Sequence, residues 1–456
     1  MTAKTPRIFK TRAELLKHAK TAENKTFEIY AKKANLMDAS ESDKGWFGNV
    51  IEVGLFDKPL DSKRRCDFPN LGVELKVAPL KKNKNGELAP KERISITMID
   101  YGKEYKRDFE SSDAWKKAQS LLIMFYLHEA EKARHDMMIL KADLHRFSDL
   151  DKAIIKRDWE IITSAIENGK AHELSEADTL YLGAARKGAK NSVRKQPCCD
   201  VMAPTRSYSL KTAYIRGYIK NLFEDRGANR ISFATAEEYK KSSFGEIIQN
   251  KLAPYFKCDA DKKVAEYGIN ERRKDKYVLM VRNMLGIESN DLSEIEEFRK
   301  ANIVFKTVRL DVNGQPKEAM QFGPVHFDTL LDGEWEDSQL YELFADTTYL
   351  FVVLQEDADG VLRLEKVKLW VMPDADLEGE VHKMWERLRK VVSEGVELVK
   401  LKNRTKNNLP KSSESPVCHI RSKGESGKDQ VSIGHNKKIT RQAYWLNKGY
   451  VEAIVK

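Results

Sequence analysis

Cysteine is scarce, with five in 456 residues: Cys66, Cys198, Cys199, Cys258 and Cys418. The number is odd and no CxxC occurs, so neither a disulfide framework nor a zinc finger is supported. Nine histidines form no HExxH; "HELSE" at 172–176 ends in Glu176, so a zincin reading fails. No GxxxxGK[ST] loop is present, which removes the main phosphate-cradling signature. Long apolar runs are missing too. The longest, "LLIMFYL" at 121–127, is far too short to span a bilayer, and the start "MTAKTPRIFKTRAELLKHAK" has no apolar core of a signal peptide. The expectation is a cytoplasmic protein without a membrane partner.

What the chain has is charge. Charged residues make up 33% and apolar ones 41%, with a net charge of +10. That composition suits globular domains, roughly two or three at this length. The excess is uneven: residues 1–222 carry about +11 and the remainder about −1. Between Arg186 and Lys220 stand nine basic residues against one acid, Asp200, and from Lys400 to Lys456 thirteen against four. Such stretches fit either a polyanionic partner such as nucleic acid or a solvated surface.

The chain also repeats itself. "RSYSLKTAYIRGYI" at 206–219 matches "RQAYWLNKGYVEAI" at 441–454, with Tyr208, Leu210 and Tyr214 spaced like Tyr444, Leu446 and Tyr450. "DWEIITSAIENG" and "MWERLRKVVSEG" are amphipathic helix patterns stopped at Gly169 and Gly395. "LLIMFYL" and "YLFVVL" both read as buried strands. The shared order predicts two homologous α/β domains, 1–222 and 223–456, each with a mixed sheet flanked by helices. Thr11 and Glu14 suggest a capping box for a first helix. Residues 43–56 read as a second helix. A strand over 71–79 is followed by the turn pair Asn85-Gly86 and a strand over 93–101.

Within "CDFPNLGVELKVAP" at 66–79, Val73, Leu75 and Val77 alternate with polar positions. Glu74 and Lys76 therefore share a face, and Asp67 can reach it from the preceding turn. Two carboxylates suit magnesium, which polarises phosphates and acidifies water. A nearby lysine orients that water or stabilises developing charge. In the second copy, Asp67 aligns with Glu297, Glu74 with Val304, Lys76 with Lys306 and Asn85-Gly86 with Asn313-Gly314. Glu52 in "FGNVIE" becomes Gln249 in "FGEIIQ". The strand persists while Glu74 and Glu52 lose their counterparts and Asp67 keeps an acid, Glu297. Glu52 and Glu74, with Asp67 as a further candidate, are therefore expected to serve chemistry, and the second domain to be catalytically dead.

"DKGWFGNVIE", "DFPNLGVELKVAP", "WEII…GKAHELSE" and "YSLKTAYI" together resemble the MutH family of DNA endonucleases, within the PD-(D/E)xK nuclease group. A second copy lacking the site is the pattern of the Sau-type restriction enzymes that cut at GATC. The resemblance implies a restriction-endonuclease-like fold, with Glu52, Asp67 and Glu74 as magnesium-binding acids and Lys76 as catalytic lysine. It also implies a further lysine before the third strand, Lys116 or Lys117. DNA contacts are expected from Arg186, Lys187, Lys190, Arg194, Tyr208 and Lys211.

The expected activity is that of a type II restriction endonuclease hydrolysing double-stranded DNA at GATC to leave 5′-phosphate ends. Two chains would meet on DNA, or one chain would nick twice. The resemblance further implies a bacterial cytoplasm containing a cognate DNA methyltransferase. Two other readings stand beside it: a mismatch-repair nickase at GATC, and a non-catalytic DNA-binding protein.

Overall fold

The structure is a computed structural model that describes residues 7–40, 43, 45–60, 65–83, 86–189, 192–224, 231–287, 292–345, 347–401, 405–424, 429–434 and 437–456. Its contacts divide the chain into two compact units, Met1–Ser243 and Phe244–Lys456. The first takes in helix Ala236–Lys241, which packs on helix Asp149–Glu167.

The strands of the first unit are β1 (Lys25–Thr26), β2 (Glu74–Lys82), β3 (Leu88–Pro90), β4 (Ile94–Met98), β5 (Leu121–Leu127), β6 (Met138–His145), β7 (Leu182–Arg186), β8 (Val193–Gln196), β9 (Cys199–Pro204) and β10 (Arg206–Leu210). A five-stranded sheet runs in the order β1-β6-β5-β2-β3. Its centre is mixed: β2 pairs β5 in parallel, and β5 pairs β6 antiparallel. β5 is buried on both faces, as its continuous apolar run requires. A second sheet, β4-β10-β7, and a separate β8–β9 ribbon complete the unit.

One expectation is corrected. β2 does not form its hairpin with the strand expected over 93–101. The turn leads back only to β3, through pairs such as Leu80 with Pro90. Pro90 has no N–H with which to extend the ladder, and β4 leaves to pair with β10 in the other sheet. Gly86 lies in that turn with φ +78°; Asn85 falls outside the described residues.

The second unit contains β11 (Ile303–Leu310), β12 (Met320–Pro324), β13 (Thr348–Glu356), β14 (Leu362–Trp370), β15 (Leu398–Lys400), β16 (Thr405–Asn407), β17 (Cys418–Ser422), β18 (Gln430–Ser432), β19 (Lys438–Thr440) and β20 (Gln442–Leu446). It repeats the plan. β11 runs parallel to β13, and β13 antiparallel to β14. The sheet β12-β20-β17 matches β4-β10-β7. Register is kept as well: Glu74 pairs with Leu121 and Lys76 with Ile123, while Val304 pairs with Tyr349 and Lys306 with Phe351. Tyr208 and Tyr444 are both buried in the central strands β10 and β20. Helices Asp149–Glu167 and His382–Glu394 lead into Gly169 and Gly395, both at positive φ.

The two copies differ where Glu52 and Gln249 stand. In the second unit, Phe244–Leu252 is a regular α-helix. In the first, helix Trp46–Val50 widens into a π-helical turn over Ile51–Leu55 that carries Glu52. Such insertions are frequent at functional sites, and the second unit has one elsewhere, over Leu377–Val381. The turn also lies hard against helix Phe27–Ala34, because a Cβ on Gly54 would overlap the Tyr30 carbonyl.

Candidate active site

Three local devices bring the acids of the first unit together. The π-helical turn presents Glu52. The chain then bends at Pro69 to Gly72, where Gly72 has φ +61°, and an antiparallel bridge joins Phe68 to Val73. That bridge sets Asp67 beside the start of β2. Asp67 Oδ2 accepts a hydrogen bond from the Leu75 amide at 2.9 Å, which fixes the carboxylate against the strand. Phe68 packs edge-on to Phe9 and Phe56, anchoring the bend in the core.

Glu74 is buried at the first residue of β2. Its Oε1 accepts hydrogen bonds from Lys76 Nζ at 3.0 Å and Lys117 Nζ at 3.1 Å. Lys117 therefore enters the site, whereas Lys116 is exposed. The reason is helical geometry: on Asp113–Ala118, successive residues point about 100° apart, so only one of the pair can face β2.

Lys58 is the residue that sequence reasoning missed. Its ammonium spans Glu52 Oε2 at 2.5 Å and Asp67 Oδ1 at 2.7 Å. It follows the π-helical turn in an irregular loop, where no periodicity marks a functional position. Burial pushes the Glu52 carboxyl up, and the hydrogen bond from Lys58 only partly offsets it. Burial opposes the charge on Lys58, but hydrogen bonds to Asp67 and Glu52 outweigh it and hold the ammonium above its usual range.

The donor set suits a hard divalent cation. Glu74 Oε2 is buried and has no hydrogen-bond partner, a costly state for a carboxylate oxygen unless something else meets it. Glu52 and Asp67 already share one cation, the Lys58 ammonium. Among the described residues, no three His, Cys, Asp or Glu side chains stand ready as a formed metal cage; lysines occupy the space between these acids.

In the second unit the equivalent positions do other work. Gln249 donates to the Val367 carbonyl. Glu297 is buried in helix Glu296–Lys300. Val304 has no donor atom. Lys306 donates to the Gln321 carbonyl at 3.0 Å and lies over the Phe322 ring. Burial, with Lys423 nearby, lowers the Lys306 pKa to about 8.

The residues expected at DNA divide into two groups. Arg186, Lys187 and Arg194 are exposed; Lys190 falls outside the described residues. Tyr208 and Lys211 instead face the interior, which corrects the expectation that they touch DNA. Tyr208 sits on β10, the middle strand of its sheet. The buried Lys211 donates to the Glu176 and Thr179 carbonyls.

Three acids and three lysines gathered around a mixed sheet, in a chain whose second unit repeats the sheet but has Gln249 and Val304 in place of Glu52 and Glu74, fit a DNA endonuclease of the MutH-like class. A family model described as DNA mismatch repair enzyme MutH matches residues 56–158, a span that includes Asp67, Glu74, Lys76 and Lys117. The chain is 33% identical to the type II restriction enzyme Sau3AI of Staphylococcus aureus, over 94% of this chain and 93% of that protein. Against the DNA mismatch repair protein MutH of Histophilus somni (strain 129Pt), identity is 29% over 42% of this chain and 83% of that protein. Against MutH of Pasteurella multocida it is 26%, over 40% and 80%. The chain belongs to the family of MutH-related type II restriction enzymes.

Proposed function

We propose that this protein is a magnesium-dependent restriction endonuclease that cleaves double-stranded DNA at GATC, leaving 5′-phosphate and 3′-hydroxyl ends. The observation that carries the reading is the gathering of Glu52, Asp67, Glu74, Lys76 and Lys117 in the first unit, where the repeat has Gln249, Glu297, Val304 and Lys306. The GATC target rests on the resemblance to Sau-type enzymes.

Glu74, Asp67 and Glu52 would hold the metal through carboxylate oxygens. Bound magnesium supplies phosphate polarisation and a more acidic water. Lys76 and Lys117 share Glu74 Oε1, so both ammonium groups are kept where negative charge develops on the phosphate. Lys76 orients the attacking water, and Lys117 adds a second positive charge. Lys116 has no part in this reading. Arg186, Lys187 and Arg194 bind phosphates or base edges. The second domain, beginning near residue 223, binds DNA without cutting it. With one intact site per chain, two chains meet on the palindrome or one chain nicks twice. The enzyme works in a bacterial cytoplasm beside a methyltransferase that protects host sites. No described helix is long and apolar enough to cross a membrane.

Incubation of the protein with unmethylated supercoiled plasmid and magnesium tests this. Linear fragments with ends at GATC support restriction. Nicked circles alone support the repair-type reading, and intact supercoils defeat both.

A further inference from the structure

The β8–β9 ribbon carries three large apolar side chains in solvent: Val193 at 49% exposure, Val201 at 51% and Met202 at 43%. Single exposed apolar residues are ordinary on strands, but three on one twelve-residue hairpin form a concentration. The repeat provides the comparison. Its ribbon, β18–β19, lies between β17 and β20 as β8–β9 lies between β7 and β10. There Ile439 and the adjoining Ile433 are buried in the core, and Val431 packs against it. The first unit buries Ala203 of its ribbon but leaves Val193, Val201 and Met202 outside.

Val193 pairs with Pro204 and Arg194 with Ala203, and the register then shifts before Gln196 meets Cys199. The bulge falls on the β9 residues between those pairs, which include Val201 and Met202. Arg186, Lys187, Arg194 and Lys195 are exposed around these residues, with one exposed acid, Asp200. The charge selects a polyanion, and the apolar atoms need an apolar contact on it. The DNA major groove admits a two-stranded β-ribbon and presents one strongly apolar base substituent, the thymine C5-methyl.

We propose that the β8–β9 ribbon enters the major groove and reads thymine methyl groups through Met202 and Val193, while the flanking basic residues hold phosphates. This rests on the reading above that duplex DNA is the substrate.

The test measures binding in calcium, without cleavage, to a GATC duplex and a GTAC duplex, each made with thymine and with uracil. Uracil removes only the methyl. Wild-type protein binds the thymine GATC duplex about four-fold more tightly per methyl contacted. Met202→Ser and Val193→Thr each lose part of that discrimination with an unchanged Tm, since both side chains are exposed. Arg194→Gln weakens all duplexes alike and lowers the salt dependence. If wild type treats thymine and uracil equally on both duplexes, or Met202→Ser keeps full discrimination, the proposal is overturned. A wild type without preference for GATC over GTAC defeats the target reading instead; the thymine–uracil comparison on either duplex still judges the ribbon.

Discussion

Replacing Lys58 by methionine removes the one positive charge shared by Glu52 and Asp67 while keeping much of the side-chain volume. Its contacts are short, at 2.5 and 2.7 Å, and all three side chains are largely covered, with 16%, 21% and 19% exposure. Exposed pairs contribute about 0–1 kcal/mol, whereas breaking a buried pair costs about 3–5 kcal/mol. This intermediate site should lose about 2 kcal/mol in EDTA, a fall in Tm of about 5 °C for a unit of this size. Calcium should reverse the sign. The variant presents two carboxylates with no resident cation, so its calcium affinity should rise about ten-fold, or about 1.4 kcal/mol. Thermal melts in EDTA and in calcium, with calorimetric titration of calcium into DNA-free protein, read both effects. An equal Tm loss in both buffers and unchanged calcium affinity would refute the idea that Lys58 stands in for the metal.

Other outcomes follow from the same geometry. Glu74→Ala should abolish cleavage while leaving DNA binding in calcium largely intact; wild-type cutting by the variant would refute the site. Lys117→Ala should slow single-turnover cleavage by about a hundred-fold and Lys116→Ala should leave it near wild type; the reverse pattern would show that the helix Asp113–Ala118 turns the other lysine inward. Lys306→Met should not slow single-turnover chemistry, but should stabilise the second unit at pH 7. With a folded pKa near 8 against 10.5, the unfolded chain binds more protons between these values, so wild-type stability rises with pH across that window. The gap corresponds to about 3 kcal/mol at most. The variant's Tm advantage should shrink toward pH 10, and no advantage at pH 7 would count against a charged, part-buried Lys306.

Much of the frame was legible in one dimension. Alternation over Val73, Leu75 and Val77 announced β2, although the strand runs over Glu74–Lys82 rather than 71–79, and the repeat in register exposed Glu74 against Val304. Gly169 and Gly395 marked helix ends, since glycine readily takes the positive φ found there. The hairpin was misread because turn chemistry is local while strand partnership is not. Asn85-Gly86 announces a reversal, but β10, more than a hundred residues away, claims β4.

The choice of residues inside the site belonged to the tertiary structure. Nothing in "WKK" separates Lys116 from Lys117 until β2 supplies a face for one of them. Lys58 lies outside any pattern and gains meaning only between two acids brought together by a π-helical turn and a bridged bend. Tyr208 and Lys211 stand in a basic stretch yet point inward, because net charge along a chain carries no direction. By itself the sequence determined which elements form, that they occur twice, and which copy kept its acids, because those are properties of local period and residue identity. Only the fold decided which side chains meet, because pairing of buried charge depends on distances across the chain rather than along it.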